Sequence, residues 1–130
     1  MKIKTSELTG PALNWAVARC EGFESFEFWH TGAVTTRQEN GLTITHRYST
    51  DWAQGGPIIE REKLCVGYRH QLDPVYVPLL DPATVCWART TAGGYLNCGP
   101  TPLIAAMRCF VASKLGAEVE VPEELCASAT

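Results

Sequence analysis

The sequence predicts an α+β domain in which a small antiparallel meander packs against two main helices, one N-terminal and one C-terminal. Two segments, one behind Thr9 and one behind Thr101, carry apolar residues at helical spacing. Between them, two runs alternate apolar and polar residues and are separated by an Asn-Gly pair. With 130 residues, 45% of them hydrophobic and 19% charged, the chain is predicted to form a single domain over residues 1–130.

The first helix is predicted to begin after Thr9, a suitable N-cap, and to end at Gly22. Pro11 fits the first turn, where a helix needs no backbone N–H. Trp15 falls beside the apolar stripe, so we expect it at the edge of the core, with contact to a partner protein as the alternative. The stripe consists of Leu13, Ala16, Val17 and Cys20.

The meander is predicted from the alternating runs FEFWH (26–30) and GLTITHRY (41–48) and from the segment between them, TGAVTTRQENG (31–41), which predicts a polar strand and a turn. The Asn40-Gly41 pair just before the second run favours a tight hairpin turn. His46 lies on the apolar face of that second strand, which favours a hydrogen-bonded core histidine over a catalytic base. The strand leads directly to Tyr48.

The middle of the chain is predicted to continue with a turn, a short helix and two strands. Gly55-Gly56-Pro57 predicts the turn, and IIEREKL (58–64) predicts a helix with Pro57 near its first position. CVGYR (65–69) and TVCWART (84–90) are the predicted strands.

The last helix is predicted to begin at Pro102, behind the N-cap Thr101, and to end at Gly116. EVEV (118–121) predicts a short final strand, and residues after about 122 are expected to form a frayed tail. The apolar face of the helix consists of Leu103, Ile104, Met107, Val111 and Leu115.

Charge and hydropathy exclude several classes of protein. The net charge is −3 and the cations are scattered, whereas non-specific nucleic-acid binding needs a clustered basic face. No apolar run approaches the roughly 20 residues of a membrane span. The N-terminal MKIKTSELTG has no apolar stretch behind its lysines, so it does not resemble a signal peptide. We therefore expect a cytoplasmic protein that neither coats DNA nor enters a membrane.

No metal, cofactor or catalytic signature is apparent. The six cysteines include no C-x-x-C pair, and in a reducing compartment we expect free, mostly buried thiols. His30, His46 and His70 have no spacing typical of metal ligands. Nucleophile-elbow and zinc-protease motifs are missing. We therefore expect no enzyme and no cofactor, although Asp51 could serve as a general acid or base if a partner existed.

The segment YSTDWAQGGPIIER (48–61) is the predicted ligand site. Tyr48 or Trp52 would stack on a base or ribose, a contact worth about 1–3 kcal/mol per base. Gly55 and Gly56 would let a phosphate approach the backbone. The remaining candidates are the hydrogen-bonding residues Ser49, Thr50, Asp51 and Gln54, with Arg61 as a source of charge. The alternative is structural: Trp52 anchors the core while Thr50 and Asp51 satisfy backbone groups in a turn.

A second candidate anion cradle is GGYLNCGPTP (93–102), which leads into the N-terminus of the last helix. Thr101 would form the far wall of the site, and Arg108 is the other candidate source of charge. The segment is not a Walker A sequence, and Pro100 and Pro102 remove two donors. A capped helix behind a turn is the alternative.

Three blocks of the sequence resemble the NinX-like proteins of lambdoid and related bacteriophages. The blocks are MKIKTSELTGPALNWAVARCEG, YSTDWAQGGPIIERE and GPTPLIAAMRCFVASKLGAEVEVPEEL, about half of the chain. The resemblance implies a small phage-encoded accessory protein that acts in the host bacterial cytoplasm. It carries over no catalytic residue.

Together these observations predict a binding protein. Some unrelated phage proteins sequester cyclic or ADP-ribose-type nucleotides that bacterial defence systems make as signals, and by analogy we expect a sponge for such a ligand. We also expect a homo-oligomer that completes the pocket between subunits. The alternatives are a protein-interaction module that inhibits or redirects a host or phage replication protein, and a nucleotide-processing enzyme that uses Asp51.

Overall fold

One helix lies at the centre of the computed structural model, which describes residues 1–79, 83–91 and 95–126. The α-helices of the described residues are α1 (Gly10–Cys20), α2 (Trp52–Glu62), α3 (Pro102–Leu115) and the short α4 (Glu123–Cys126). Short 3-10 helices span Thr5–Glu7, Arg69–Gln71 and Val77–Leu79. The strands are β1 (Lys2–Lys4), β2 (Phe26–Phe28), β3 (Val34–Arg37), β4 (Thr43–Thr45), β5 (Leu64–Tyr68), β6 (Cys86–Thr90), β7 (Leu96–Gly99) and β8 (Glu118–Glu120).

The central helix is α3, which packs against α1, α2 and the sheet β5-β6-β7. Apolar side chains surround it on all sides, as is typical of a helix inside a core. The Thr101 hydroxyl accepts the N–H of Ile104 at 3.1 Å, so the predicted N-cap is confirmed. The buried residues of α3 are Leu103, Ala105, Ala106, Met107, Cys109, Phe110, Val111 and Ala112.

The strands of the described residues form three small antiparallel sheets, so the predicted α+β class is confirmed. The sheet β2-β3-β4 is the predicted meander, and its hairpin closes with the N–H of Gln38 bonded to the carbonyl of Leu42 at 2.7 Å. The sheet β5-β6-β7 covers one side of α3 and includes both strands predicted in the middle of the chain. The pairing of β1 with β8 joins two distant parts of the sequence, and β1 was not predicted. Strand β7 was not predicted either, since its residues belong to a segment interpreted as a glycine-rich connection.

Helix α1 follows its predicted course. Gly22 adopts a φ of +94°, and Phe23 donates its N–H to the carbonyl of Ala18, which together end the helix. Thr9 is the N-cap residue, but its side chain makes no capping hydrogen bond. Trp15 is buried within the core, deeper than the edge position predicted for it.

Helix α2 is where the sequence prediction is wrong. The predicted turn through Gly55-Gly56-Pro57 is instead the middle of a helix that begins at Trp52 and contains Pro57. Asp51 is the N-cap, and its carboxylate accepts the N–H of Ala53 at 2.9 Å. Helix formation wins here because it places Ile58 in the core and lets Gly55 lie against α3.

The C-terminal segment also differs from the prediction. Residues 118–120 form the expected strand, but α4 follows where a frayed tail was expected, and its Leu125 is buried in the core. Burial of that leucine against the core fixes the segment. Residues 80–82, 92–94 and 127–130 lie outside the described residues, including the first part of the predicted glycine-rich anion cradle and the end of the tail. In the described residues, no helix is both long and apolar enough to cross a membrane.

Replacing Gly55 with alanine should destabilise the protein by about 1–3 kcal/mol, the usual cost of overpacking a core. A Cβ at this position would lie 2.6 Å from Leu103 Cδ1 and 2.6 Å from the Tyr48 carbonyl oxygen. The neighbouring change Gly56→Ala is the matched control, since its Cβ would meet only Trp52 Cε3, at 3.8 Å. Alanine is the better helix former by about 1 kcal/mol, so this variant should be neutral or stabilised. Chemical denaturation of both variants measures the difference, and equal stabilities would contradict the assigned packing.

Candidate functional site

The aromatic start of the segment 48–61 is part of the core. Tyr48 is buried, its hydroxyl lies 3.3 Å from His46 Nδ1, and His46 Nε2 lies 2.8 Å from the hydroxyl of Thr36. His46 is thus a buried, hydrogen-bonded histidine, as predicted. Burial raises the pKa of Tyr48 to about 12, so the phenol keeps its proton. The Tyr48 ring therefore offers no free face to a ligand.

The polar residues of the segment make structural hydrogen bonds. Ser49 is buried, and both its N–H and its hydroxyl donate to Asn14 Oδ1, at 2.9 and 2.8 Å. Gln54 accepts the N–H of Arg47 at 2.7 Å and donates to the carbonyl of Thr45 at 2.8 Å. Thr50 is exposed, and its N–H donates to the carbonyl of Arg47. These bonds hold the connection between β4 and α2.

The remaining candidates of the segment point in different directions. Gly55 is enclosed by Leu103 and the Tyr48 carbonyl, which leaves no room for a phosphate. Trp52 is 54% exposed on the outer side of α2. Arg61 pairs with Glu21 at 3.0 Å and with Glu62 at 2.9 Å. The structure does not gather these residues around one cavity, and a ligand role for the segment stays a prediction.

A cleft of about 570 Å³ lies on the opposite side of α3 and contains Arg108 of the predicted residues. Its floor includes the outer edge of β7, and Arg108 reaches it from α3. We call it the Arg108 cleft. Its lining residues are Ser6, Ala83, Thr84, Val85, Leu96, Asn97, Cys98, Gly99, Pro100 and Arg108.

The Arg108 guanidinium is fixed by two backbone carbonyls. Its Nε–H donates to Leu8 at 2.7 Å, and its NH1 group donates to Cys98 at 2.7 Å. Among the described residues no carboxylate lies within ion-pair distance of it. Burial lowers the pKa of Arg108, although Cys98 and Glu7 act in the opposite direction and favour its charged form. A fixed cation with no carboxylate partner therefore lines the cleft.

The edge of β7 adds backbone donors to the same cleft. The N–H of Thr90 bonds to the carbonyl of Tyr95, which makes this facing pair a hydrogen-bonded one. Facing residues alternate along an antiparallel pair, so the amides of Leu96 and Cys98 point away from β6. The bond from Arg108 to the Cys98 carbonyl agrees with this direction. Part of the predicted cradle 93–102 therefore lies in this cleft. Its outward N–H groups belong to the edge of a strand, whereas the prediction placed the donors at the N-terminus of a helix.

The role predicted for Thr101 in a ligand site has no support from its contacts. Its hydroxyl is engaged as the N-cap of α3, and it does not line the Arg108 cleft. Ser6, Thr84 and Asn97 line this cleft but were not predicted as candidate ligand-binding residues, because they come from three separate segments of the chain. The only signal was that Asn97 lies inside the segment chosen as an anion cradle.

A second cleft, of about 620 Å³, lies along the segment that follows β5. Aromatic rings and apolar side chains provide most of its surface. We call it the Tyr68 groove. Its lining residues are Tyr68, Arg69, His70, Leu72, Pro74, Val77 and Val85.

The described residues contain no group of three His, Cys, Asp or Glu side chains that could hold a metal ion. The six cysteines are free thiols, two of them buried and four half-buried. Burial raises the pKa of Cys20 and of Cys109 to about 11, so both thiols stay protonated near neutral pH.

Comparison with known protein families identifies the family of this chain. The family model described as "Bacteriophage P22, NinX" matches residues 4–114, most of the chain. The chain therefore belongs to the bacteriophage P22 NinX family, as the resemblance predicted. This membership makes it a phage accessory protein. No curated protein matches the chain.

The stability of the protein should fall as the pH drops through about 6.5, the ordinary pKa of histidine. Burial lowers the pKa of His46 in the folded state, so below this pH the unfolded chain binds more protons and unfolding is favoured. The slope should not exceed about 1.4 kcal/mol per pH unit for one proton. Urea denaturation between about pH 5 and 7.5 measures it. His46→Gln should flatten the slope, whereas the exposed control His70→Gln should keep it, and the reverse result would exclude His46 as the cause.

Proposed function

We propose that this NinX-family protein binds a small anionic, nucleotide-like molecule in the Arg108 cleft and holds it without turnover. The observation that carries the proposal is the Arg108 guanidinium, fixed by two carbonyls beside a cleft and without a carboxylate partner among the described residues. A phosphate would supply the missing negative charge, and charge-assisted hydrogen bonds to it are among the strong ones in proteins.

The neutral donors around Arg108 support an anion rather than an apolar ligand. The outward amides of Leu96 and Cys98 can donate to phosphate oxygens, as a row of backbone N–H groups does in other anion sites. Ser6 and Thr84 add hydroxyls at the rim. These groups hydrogen-bond to an oxyanion without bringing a negative charge near it.

The composition of the lining supports binding without chemistry. No histidine, aspartate or glutamate is among the described residues that line the Arg108 cleft. Histidine and the carboxylates are the most frequent general acids and bases, and they act within hydrogen-bonding reach of the reacting atom. Asp51, the residue considered for an enzyme, is the N-cap of α2 and lies outside this lining.

Sequestration of a defence signal is the role that we infer for this binding. A protein of this kind needs tight binding and no transition-state stabilisation. The proposed place of action is the cytoplasm of the infected bacterium, where cyclic and ADP-ribose-type nucleotides are made. A homo-oligomer could complete the cleft from a second subunit, and analytical ultracentrifugation with and without ligand measures that state.

Incubation of the purified protein with a panel of cyclic and ADP-ribose nucleotides should give a thermal shift with at least one of them, because a ligand that binds only the folded state raises its stability. Heat release should then return the ligand intact. Altered ligand would mean an enzyme. If no nucleotide gives a thermal shift, both the sequestration of a nucleotide and its enzymatic conversion are excluded.

The location of the site is tested by a matched pair at the rim of the cleft. Thr84→Glu places a carboxylate in the Arg108 cleft and should weaken binding of an anionic nucleotide by about tenfold or more through like-charge repulsion. Thr84→Gln has nearly the same size without the charge and should bind almost normally. Calorimetric titration measures both affinities.

A third variant separates this cleft from the segment 48–61. Trp52→Ala should leave nucleotide affinity unchanged, because Trp52 lies on the outer side of α2 and does not line the Arg108 cleft. Loss of binding in Trp52→Ala, with normal binding in Thr84→Glu, would move the site back to the segment.

A protein-interaction module is the second candidate function, favoured by a group of exposed apolar side chains next to the Tyr68 groove. Val75 is 70% exposed, and Tyr76 and Val85 are also exposed. If this patch binds a replication protein, Val75→Asp should abolish capture of that protein. Leu42→Asp changes an exposed apolar residue elsewhere and should retain it.

A further inference from the structure

The Arg108 cleft and the Tyr68 groove meet at one residue. Val85, immediately before β6, lines both of them and is 53% exposed. Its carbonyl accepts the N–H of Arg69 at 3.0 Å, which ties the start of β6 to the segment that forms the groove. Two clefts of different chemistry therefore lie on either side of one exposed side chain.

The Tyr68 groove has the features of a subsite for a planar ring. The rings of Tyr68 and His70 are nearly parallel, 9° apart with centroids 6.2 Å apart, and both line the groove. The apolar side chains of Leu72, Pro74 and Val77 line the rest of it. Stacking on aromatic faces beside apolar walls is how proteins hold a nucleobase without reading its identity.

The backbone of Tyr68, from which the ring extends, is held by two hydrogen bonds to side chains. Its N–H donates to Gln71 Oε1 at 2.8 Å, and its carbonyl accepts the indole N–H of Trp87 at 2.7 Å. Gly67 makes this arrangement possible, because a Cβ there would lie 2.9 Å from Trp87 Cζ2. A backbone held in this way does not have to be ordered when a ligand binds.

The stretch of chain that supplies most of the lining of both clefts carries a net positive charge. From Leu64 to Gly116 the chain carries four cations and two carboxylates, whereas the whole chain has a net charge of −3. One of these cations, Arg89, lies over the Tyr76 ring at 5.7 Å, next to the groove. Apart from Ser6, the described residues that line the two clefts all come from this net positive segment.

We infer that the two clefts form one two-part site for a nucleotide, with its phosphates at Arg108 and its base in the Tyr68 groove. This inference rests on the proposed function and specifies its ligand class: a nucleotide long enough to extend past Val85, such as a nucleoside diphosphate sugar. Inorganic phosphate or pyrophosphate would occupy the Arg108 cleft alone.

Two probes test this, ADP-ribose for the two-part site and pyrophosphate for the Arg108 cleft. Tyr68→Ala should weaken ADP-ribose binding by about tenfold, the effect of losing one stacked base, and leave pyrophosphate affinity unchanged. Val85→Trp, which obstructs the passage between the clefts, should have the same selective effect and serves as a second variant should Tyr68→Ala fail to fold. Trp52→Ala is the aromatic control and should bind both probes normally. Calorimetric titration measures every affinity.

The outcomes separate the two proposals. Unchanged ADP-ribose affinity in both Tyr68→Ala and Val85→Trp, with weakened binding of both probes in Thr84→Glu, would overturn the two-part site and keep the Arg108 site. Binding of pyrophosphate but not ADP-ribose by the unaltered protein would do the same. If the unaltered protein binds neither probe, the two-part site is overturned, and the proposed function is overturned as well when no cyclic nucleotide of the panel gives a thermal shift.

Discussion

The burial of α3 on every side is the constraint on which the rest of the structure depends. Its small residues Ala105 and Ala106 let neighbouring elements approach closely, and Gly55 of α2 and Gly99 of β7 lie against it where no larger side chain fits. Such a helix has little room for a charge. Arg108 is accommodated because its guanidinium extends past β7 and meets two backbone carbonyls, and this is what places a cation at a cleft.

Much of the fold was predictable because it depends on residues that are close in sequence. The elements that were predicted wrongly or not at all depend on contacts between residues that are far apart in sequence. The cap at Thr101, the end of α1 at Gly22 and the Asn40-Gly41 hairpin each depend on a few neighbouring residues. The turn predicted at Gly55-Gly56-Pro57 was wrong. Glycine and proline usually break helices, but here Gly55 lies inside a helix because its close contact with Leu103 leaves no space for a side chain. The pairing of β1 with β8 joins residues more than 110 positions apart, which no local pattern reveals.

The candidate site was less predictable than the fold, for a physical reason. Tyr48, Ser49 and Gln54 have the chemistry of ligand-binding residues, but buried polar groups need partners too, and the protein itself provides them. The Arg108 cleft collects residues from four separate parts of the chain around a strand edge. The sequence identified Arg108 as a candidate source of charge, but it could not show which hydrogen-bond donors would lie beside Arg108 in the folded protein.

Gln54 has a consequence for the behaviour of the protein in concentrated solution. Its amide bonds to the outward-facing carbonyl of Thr45 and the N–H of Arg47, the same groups that an added strand would use. The meander is thereby closed at three strands by one side chain of the helix that follows it. Exposed strand edges are where sheets of different molecules join into aggregates. Resistance to that growth at β4 therefore depends on a single amide and would survive changes in ionic strength that weaken protection by charge.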